Sequence, residues 1–140
     1  MSIEHNKRIV REFFAHLHHS EFDEAFALLT SDATWWIPTQ EPGGMSLSKQ
    51  AMRSGIDQFY RVFAQAPVMT PGRMTAEEDR VCLEQISRGG KTRSGVSYGN
   101  DYHMLFQFRD GLICEVREYM NPLLAAPLMA ELNASSAGTR

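Results

Sequence analysis

The sequence predicts an α+β domain in which helices cover one face of a sheet. Two segments carry the 3.6-residue apolar period of helices, the second half alternates with the period of two that strands require, and the helical signals come before most of the strand signals. The 140 residues contain no repeat or linker that would divide them. A single domain spanning residues 1–132 is expected, followed by a disordered tail over 133–140.

The first helix is expected over Ile3–His19, with Val10, Phe14 and Leu17 on one stripe, widened by Ile9 and Phe13. A break at Ser20 precedes a short second helix, Phe22–Leu29, which Thr30-Ser31-Asp32 closes. Ala33–Ile37 has the aromatic and β-branched content of a strand. Trp35 and Trp36 point to opposite faces of it, so one of them reaches the interior. Pro38, Pro42, Gly43 and Gly44 mark a loop. From Ser48, a candidate N-cap, a third helix runs to about Gln65 with Met52, Ile56, Phe59, Tyr60 and Phe63 on its apolar face. Strands follow over Arg73–Glu78 and Val81–Ser87. The glycine-rich, basic stretch Arg88–Ser97 reads as a mobile connection, and Leu123–Leu132 as a terminal helix.

The most informative segment is the hairpin Tyr98–Met120, whose arms flank Arg109-Asp110-Gly111. A two-residue turn at Asp110-Gly111 mixes polar and apolar side chains on both faces. A three-residue loop pairing Phe108 with Leu112 sorts them, and it places Asn100, Tyr102, Met104, Phe106, Phe108, Leu112, Cys114, Val116, Glu118 and Met120 together. In that register Glu118 stands opposite Tyr102 on an apolar face. A carboxylate moved out of water has its charged form disfavoured and its pKa raised, as a general acid/base requires. The alternative is that an arginine, Arg11, Arg53 or Arg73, pairs with it and orders the core.

Composition narrows the remaining chemistry. A net charge of −3 with scattered arginines gives no basic stripe for nucleic acid. Met1–Arg8 lacks the apolar run of a secretion signal and no stretch approaches a membrane span, so a cytoplasmic location is expected, with no membrane partner. Cys82 and Cys114 suit small buried hydrophobes. His16, His18 and His19 suit the polar last turn of a helix, and His103 faces outward in the chosen register. No phosphate loop or nucleophile elbow occurs, and nothing in the sequence calls for a metal or redox cofactor.

The run Ala25-Phe26-Ala27-Leu28-Leu29-Thr30-Ser31-Asp32-Ala33-Thr34, the third helix, and Phe106-Gln107-Phe108-Arg109-Asp110-Gly111-Leu112-Ile113 with Glu115-Val116-Arg117-Glu118-Tyr119 together resemble the SnoaL-like branch of the nuclear-transport-factor-2-like superfamily. The resemblance covers about Ile3–Leu132. It implies a cone in which a strongly curved antiparallel sheet wraps the N-terminal helices around an apolar pocket, and a homodimer. It leaves function open, because this superfamily hosts isomerases, cyclases, dehydratases and binders. The acidic and tyrosine positions of ketosteroid isomerase fall on Phe13, Ile37 and Met104, and the acid of SnoaL-type polyketide cyclases falls on Asn121. These departures count against both mechanisms. Tyr98-Gly99-Asn100 and Arg117-Glu118-Tyr119-Met120-Asn121 are similar to motifs of A/B-type phenazine-biosynthesis proteins, whose matching glutamate lands on Glu118; their helical histidine is replaced by Gln58.

The expected function is acid/base chemistry by Glu118 on an apolar or aromatic metabolite, of the isomerase, cyclase, dehydratase or condensation type. Tyr102 and Asn100 are expected to orient the substrate, with Phe13, Phe14, Trp35, Tyr60, Met104 and Phe106 as walls. The competing expectation is a non-catalytic ligand-binding or dimerisation module. A homodimer through Leu105, Ile113 and Tyr119 on the outer hairpin face is expected in either case.

Overall fold

The computed structural model describes the backbone of residues 2–138. It opens with α1 (Ile3–His18), which Ser2 caps by accepting from the His5 amide at 3.1 Å. The predicted stripe Ile9, Val10, Phe13, Phe14 and Leu17 is buried. Helix α2 (Phe22–Phe26) is shorter than expected, because the chain is already extended at Leu29 and enters β1 (Leu29–Ile37). Thr30, Ser31 and Asp32 therefore belong to a strand instead of a helix stop. A short β2 (Met45–Ser48), unforeseen in the sequence, pairs with β1 and leads into α3 (Lys49–Val62). Ser48 caps α3 as expected, its Oγ accepting from the Ala51 amide at 3.1 Å.

The remaining strands are β3 (Phe63–Gln65), β4 (Val68–Glu77), β5 (Arg80–Thr92), β6 (Ser97–Arg109) and β7 (Leu112–Met120), followed by α4 (Pro122–Gly138). The sheet order is β2-β1-β7-β6-β5-β3, with β4 also on β5. One pair, β1 on β7, is parallel, so the sheet is mixed where an antiparallel one was expected. A parallel pair needs a long crossover, here almost the whole chain between the first strand and the last. The expected mobile connection Arg88–Ser97 is mostly strand: β5 continues through an irregularity at Ser87–Gly90 to Thr92, and only residues 93–96 turn. Helix α4 continues to Gly138, past Asn133 where a tail was expected, and Thr139 and Arg140 lie outside the described residues. No described helix is long and apolar enough to cross a membrane.

Surplus residues curl the sheet into a half-barrel around α1. The strand β4 carries one between Pro71 and Met74, β5 one between Ser87 and Gly90, and β7 one between Ile113 and Glu115. Each such bulge bends its strand and increases local twist. The concave face meets α1 through a dry aromatic cluster: the Phe13 ring lies 5.9 Å from Trp35 and 6.5 Å from Phe106, and Phe14 meets Phe106 edge-on at 5.9 Å.

The β6–β7 hairpin differs from the predicted one in an instructive way. Asp110 (φ 52°) and Gly111 (φ 83°) both adopt positive φ, as a two-residue type I′ turn demands, and Arg109 pairs with Leu112. Left regular, that turn would send Glu118 to the convex face opposite His103. The bulge at Cys114 shifts the pairing by one residue, so that Phe106 meets Val116 and Met104 meets Glu118. Glu118 thus shares the concave face with Met104 and Phe106, but opposite Met104 instead of Tyr102. Ile113 turns inward and is fully buried while Leu112 is exposed, the reverse of the expected order.

Replacing Ser48 by Ala leaves the Ala51 amide without its cap, and should cost about 1 kcal/mol of unfolding free energy in urea denaturation, with an unchanged m-value.

Candidate functional site

The apolar face of α3 has no fully buried residue, although its periodicity is that of a helix packed on a core. Met52, Ile56, Phe59 and Tyr60 are only half-buried, because they look onto open volume. A cavity of about 290 Å³ lies between α3, α4, α1 and the concave sheet. Gly55, Gln58, Met129 and Asn133 line it and are exposed, so its mouth opens between α3 and α4.

Glu118 lines this cavity from β7. Its Oε1 accepts a hydrogen bond from the Trp35 indole Nε1 at 3.0 Å. The side chain is part-buried, and the surface it retains opens on the cavity, with protein on its other sides. Loss of hydration pushes its pKa above the ordinary carboxylate range, and the indole hydrogen bond opposes that rise without cancelling it. The arginines that might have neutralised it do not reach it: Arg53 pairs with Asp23 at 3.0 Å, Arg73 pairs with Glu84 at 2.8 Å, and Arg11 is exposed on α1. Among the described residues no ion pair involves Glu118.

Beside it lies a buried network whose donor directions can be worked out. Asn100 Oδ1 accepts from the amides of Asp101 (2.8 Å) and Asn121 (3.0 Å), which fixes its amide orientation. Its Nδ2 then donates to the Asn121 carbonyl at 3.0 Å and to Tyr98 Oη at 3.2 Å. The Tyr98 and Tyr102 hydroxyls are 2.8 Å apart, and Tyr102 also meets Ser87 Oγ at 3.0 Å. With Asn100 donating to it, Tyr98 is free to donate onward to Tyr102. Burial raises the pKa of both phenols, Tyr102 far above the usual tyrosine value, so both remain neutral donors. Tyr102 lies diagonal to Glu118 across the β6–β7 ladder, at about 7–8 Å between Cα atoms.

Six of the nine residues singled out in the sequence line the cavity: Glu118, Tyr102, Phe14, Trp35, Tyr60 and Met104. Phe13 and Phe106 do not; both are wholly buried in the aromatic cluster behind the wall, since α1 sits directly on β6 there. Asn100 is also wholly buried and its hydrogen-bonding capacity is spent on Tyr98 and backbone, so it positions Tyr98 instead of meeting a ligand. Tyr98 and Gln85 line the cavity and were missed. A signal existed for each: Tyr98 shares the inward period of Asn100 and Tyr102, and Gln85 interrupts the inward series Val81, Leu83, Ser87.

Mixed sheet, covering helices and a hollow with an unpaired acid define the class as a small-molecule-binding cone fold. The sequence profile described as the SnoaL-like domain matches residues 10–116, and the chain belongs to that family. The family includes isomerases and cyclases. No curated protein sequence matches the chain. Among solved structures, PrhC from Penicillium brasilianum is similar at 17% identity, covering 96% of this chain and 92% of that one with a TM-score of 0.80. A nuclear-transport-factor-2-like protein from Burkholderia xenovorans is similar at 21% identity, with 91% and 97% covered and a TM-score of 0.71. A de novo designed protein with a curved β-sheet matches at 12% identity, 94% and 97% coverage and a TM-score of 0.71. At these identities the likeness is one of fold, and fold alone does not assign a chemistry.

Trp35→Phe removes the one hydrogen bond that favours the charged form of Glu118. The Glu118 carboxyl should then titrate at still higher pH, read as an upward move of its midpoint in a 13C NMR titration of side-chain-labelled protein.

Proposed function

We propose that the protein is an acid–base enzyme in which Glu118 moves a proton on a small apolar or aromatic metabolite, in a reaction of the isomerisation, cyclisation, dehydration or condensation type. The observation that carries this reading is the carboxyl itself, held in an apolar cavity by one indole and, among the described residues, by no cation. Keeping a charge there without function is costly, and such groups concentrate at active sites. In its ionised form Glu118 removes a proton from an acidic C–H or O–H of the bound substrate. The Tyr102 hydroxyl, receiving a hydrogen bond from Tyr98, supports the oxygen on which negative charge develops. Protonated Glu118 then returns the proton at a second position, or to a leaving hydroxyl. The walls of Phe14, Trp35, Tyr60 and Met104 exclude water and hold a flat ring system.

The convex face of the sheet carries a second expectation. Arg117 stacks over Trp36 at 4.2 Å, Tyr119 packs against Trp36 at 4.9 Å, and Tyr119 is exposed. Ile113 is withdrawn from this surface into the core, and Trp36 takes its place. A second copy of the chain packing on this aromatic patch gives the homodimer we propose.

Two measurements test these readings. In D2O, the protein should catalyse deuterium incorporation at the acidic carbon of 2-tetralone, followed by 1H NMR. Glu118→Gln should slow exchange by about 10²–10⁴-fold while leaving the fold and 2-tetralone binding intact. Binding without exchange in the native protein would identify a binding module instead. Sedimentation at micromolar concentration should give a dimer that Trp36→Glu converts to monomer.

A further inference from the structure

The concave face holds a second polar group that proton transfer by Glu118 does not use. Gln85, on β5, is 3% exposed, lines the cavity, and its Oε1 has no hydrogen-bond partner. Its Nε2 meets only the Met104 thioether sulfur at 3.3 Å, a weak acceptor. A buried amide left half-satisfied is destabilising, and an apolar residue of the same size would pack there without that cost. Its neighbours in the inward series, Val81, Leu83 and Ser87, are satisfied by packing or by Tyr102 and the Asn100 amide.

We propose that Gln85 is a substrate-recognition residue whose partner is a hydroxyl on the bound molecule, and that the molecule is a two-ring aromatic compound oxygenated at both ends. This rests on the reading of Glu118 given above. The register sets the span. Gln85 pairs with Tyr102 on β6, and Met104, the next inward residue of β6, pairs with Glu118 on β7. Gln85 and Glu118 are therefore two strands and one inward step apart, about 12 Å between Cα atoms. Side chains on a concave face converge, which brings the two polar ends within reach of opposite edges of a fused two-ring system. The cavity volume of about 290 Å³ also suits a compact ligand, at the low end of the roughly 300–1,000 Å³ of drug-sized sites. Met104 stands between the two groups. Its unbranched, flexible thioether is the part of the wall that moves aside when a hydroxyl replaces it as partner of the amide.

The test compares 2-naphthol with 2,6-dihydroxynaphthalene, titrated by fluorescence into the native protein, Glu118→Gln, Gln85→Met and Gln85→Leu. The diol should bind the native protein and Glu118→Gln about tenfold more tightly than the mono-ol, because a site built to hydrogen-bond a hydroxyl rejects the analogue that lacks it. Both Gln85 variants should bind the two compounds equally, with thermal midpoints no lower than that of the native protein. In the native protein the Gln85 side-chain amide resonances should shift with the diol and not with 2-naphthol, a readout that needs no variant. Equal affinity of the two compounds for the native protein, or a preference that survives in the Gln85 variants, overturns the assignment of Gln85 and leaves the Glu118 reading standing. Failure of both naphthols to bind overturns the substrate class and the aromatic pocket with it, whereas loss of 2-tetralone exchange bears on Glu118 alone.

Discussion

One surplus residue in β7 governs which side of the sheet the acid occupies. The Asp110-Gly111 turn pairs Arg109 with Leu112, and without interruption that ladder would carry Glu118 to the convex face. At Cys114 the strand gains one residue on its partner, and every side chain beyond it changes face. The same event lets Ile113 and Val116, three residues apart, both enter the core. Burial of these two side chains holds the bulge in place, and the bulge in turn directs Glu118 toward Trp35. Packing of the core cluster that holds Ile113 and Val116 is therefore coupled to the orientation of the proposed catalytic group.

The hollow exists because the sheet is too curved for α1 to fill it. Bulges in β4, β5 and β7 bend the sheet around α1, whose aromatic residues occupy one end of the concave space. At the other end α3 and α4 close over the sheet without meeting it fully, and the apolar face of α3 remains half-buried. Apolar surface left facing open volume forgoes both hydrophobic and dispersion stabilisation. Glu118 and Gln85, the latter with a half-satisfied amide, both line this same space. Natural sequences concentrate departures from local optimality at sites of function. Two polar departures on one concave face, in an otherwise apolar lining, are what the proposed recognition of a molecule with polar groups at both ends rests on.

Helical periodicity was the clearest message in the sequence: α1, its buried stripe, and α3 with its Ser48 cap follow from apolar spacing and one hydroxyl. The faces of β6 were equally readable, because Tyr98 to Phe108 alternate without interruption. Three things were not. A bulge leaves no composition signal, so sorting polar from apolar residues gave the right face for Glu118 through the wrong turn, and misplaced Leu112 and Ile113. The parallel β1–β7 pair joins segments some eighty residues apart, which no local pattern encodes. Burial does not distinguish wall from interior either: Phe13 and Phe106 have the same apolar character as Phe14 and Trp35, and only the position of α1 over β6 separates them.

The raised pKa of Glu118 also sets a sign on stability that runs opposite to that of a salt-bridged acid. Its unfolded pKa is the ordinary one and its folded pKa is higher, so between the two the folded state holds a proton that the unfolded state has released. Stability therefore falls as pH rises through that window and levels off above the folded pKa, whereas a carboxylate with a depressed pKa contributes stability that is lost as pH falls. Above the folded pKa the fold bears the full cost of keeping this charge in a cavity. The Trp35 hydrogen bond reduces that cost because it favours the ionised form, and so the indole that shapes the wall also brings the carboxyl closer to the protonation state a base requires. Lining the site with a cation would have relieved the strain more completely. It would also have made Glu118 a weaker base, so the absence of an ion pair at Glu118 among the described residues suits the acid–base role proposed for it.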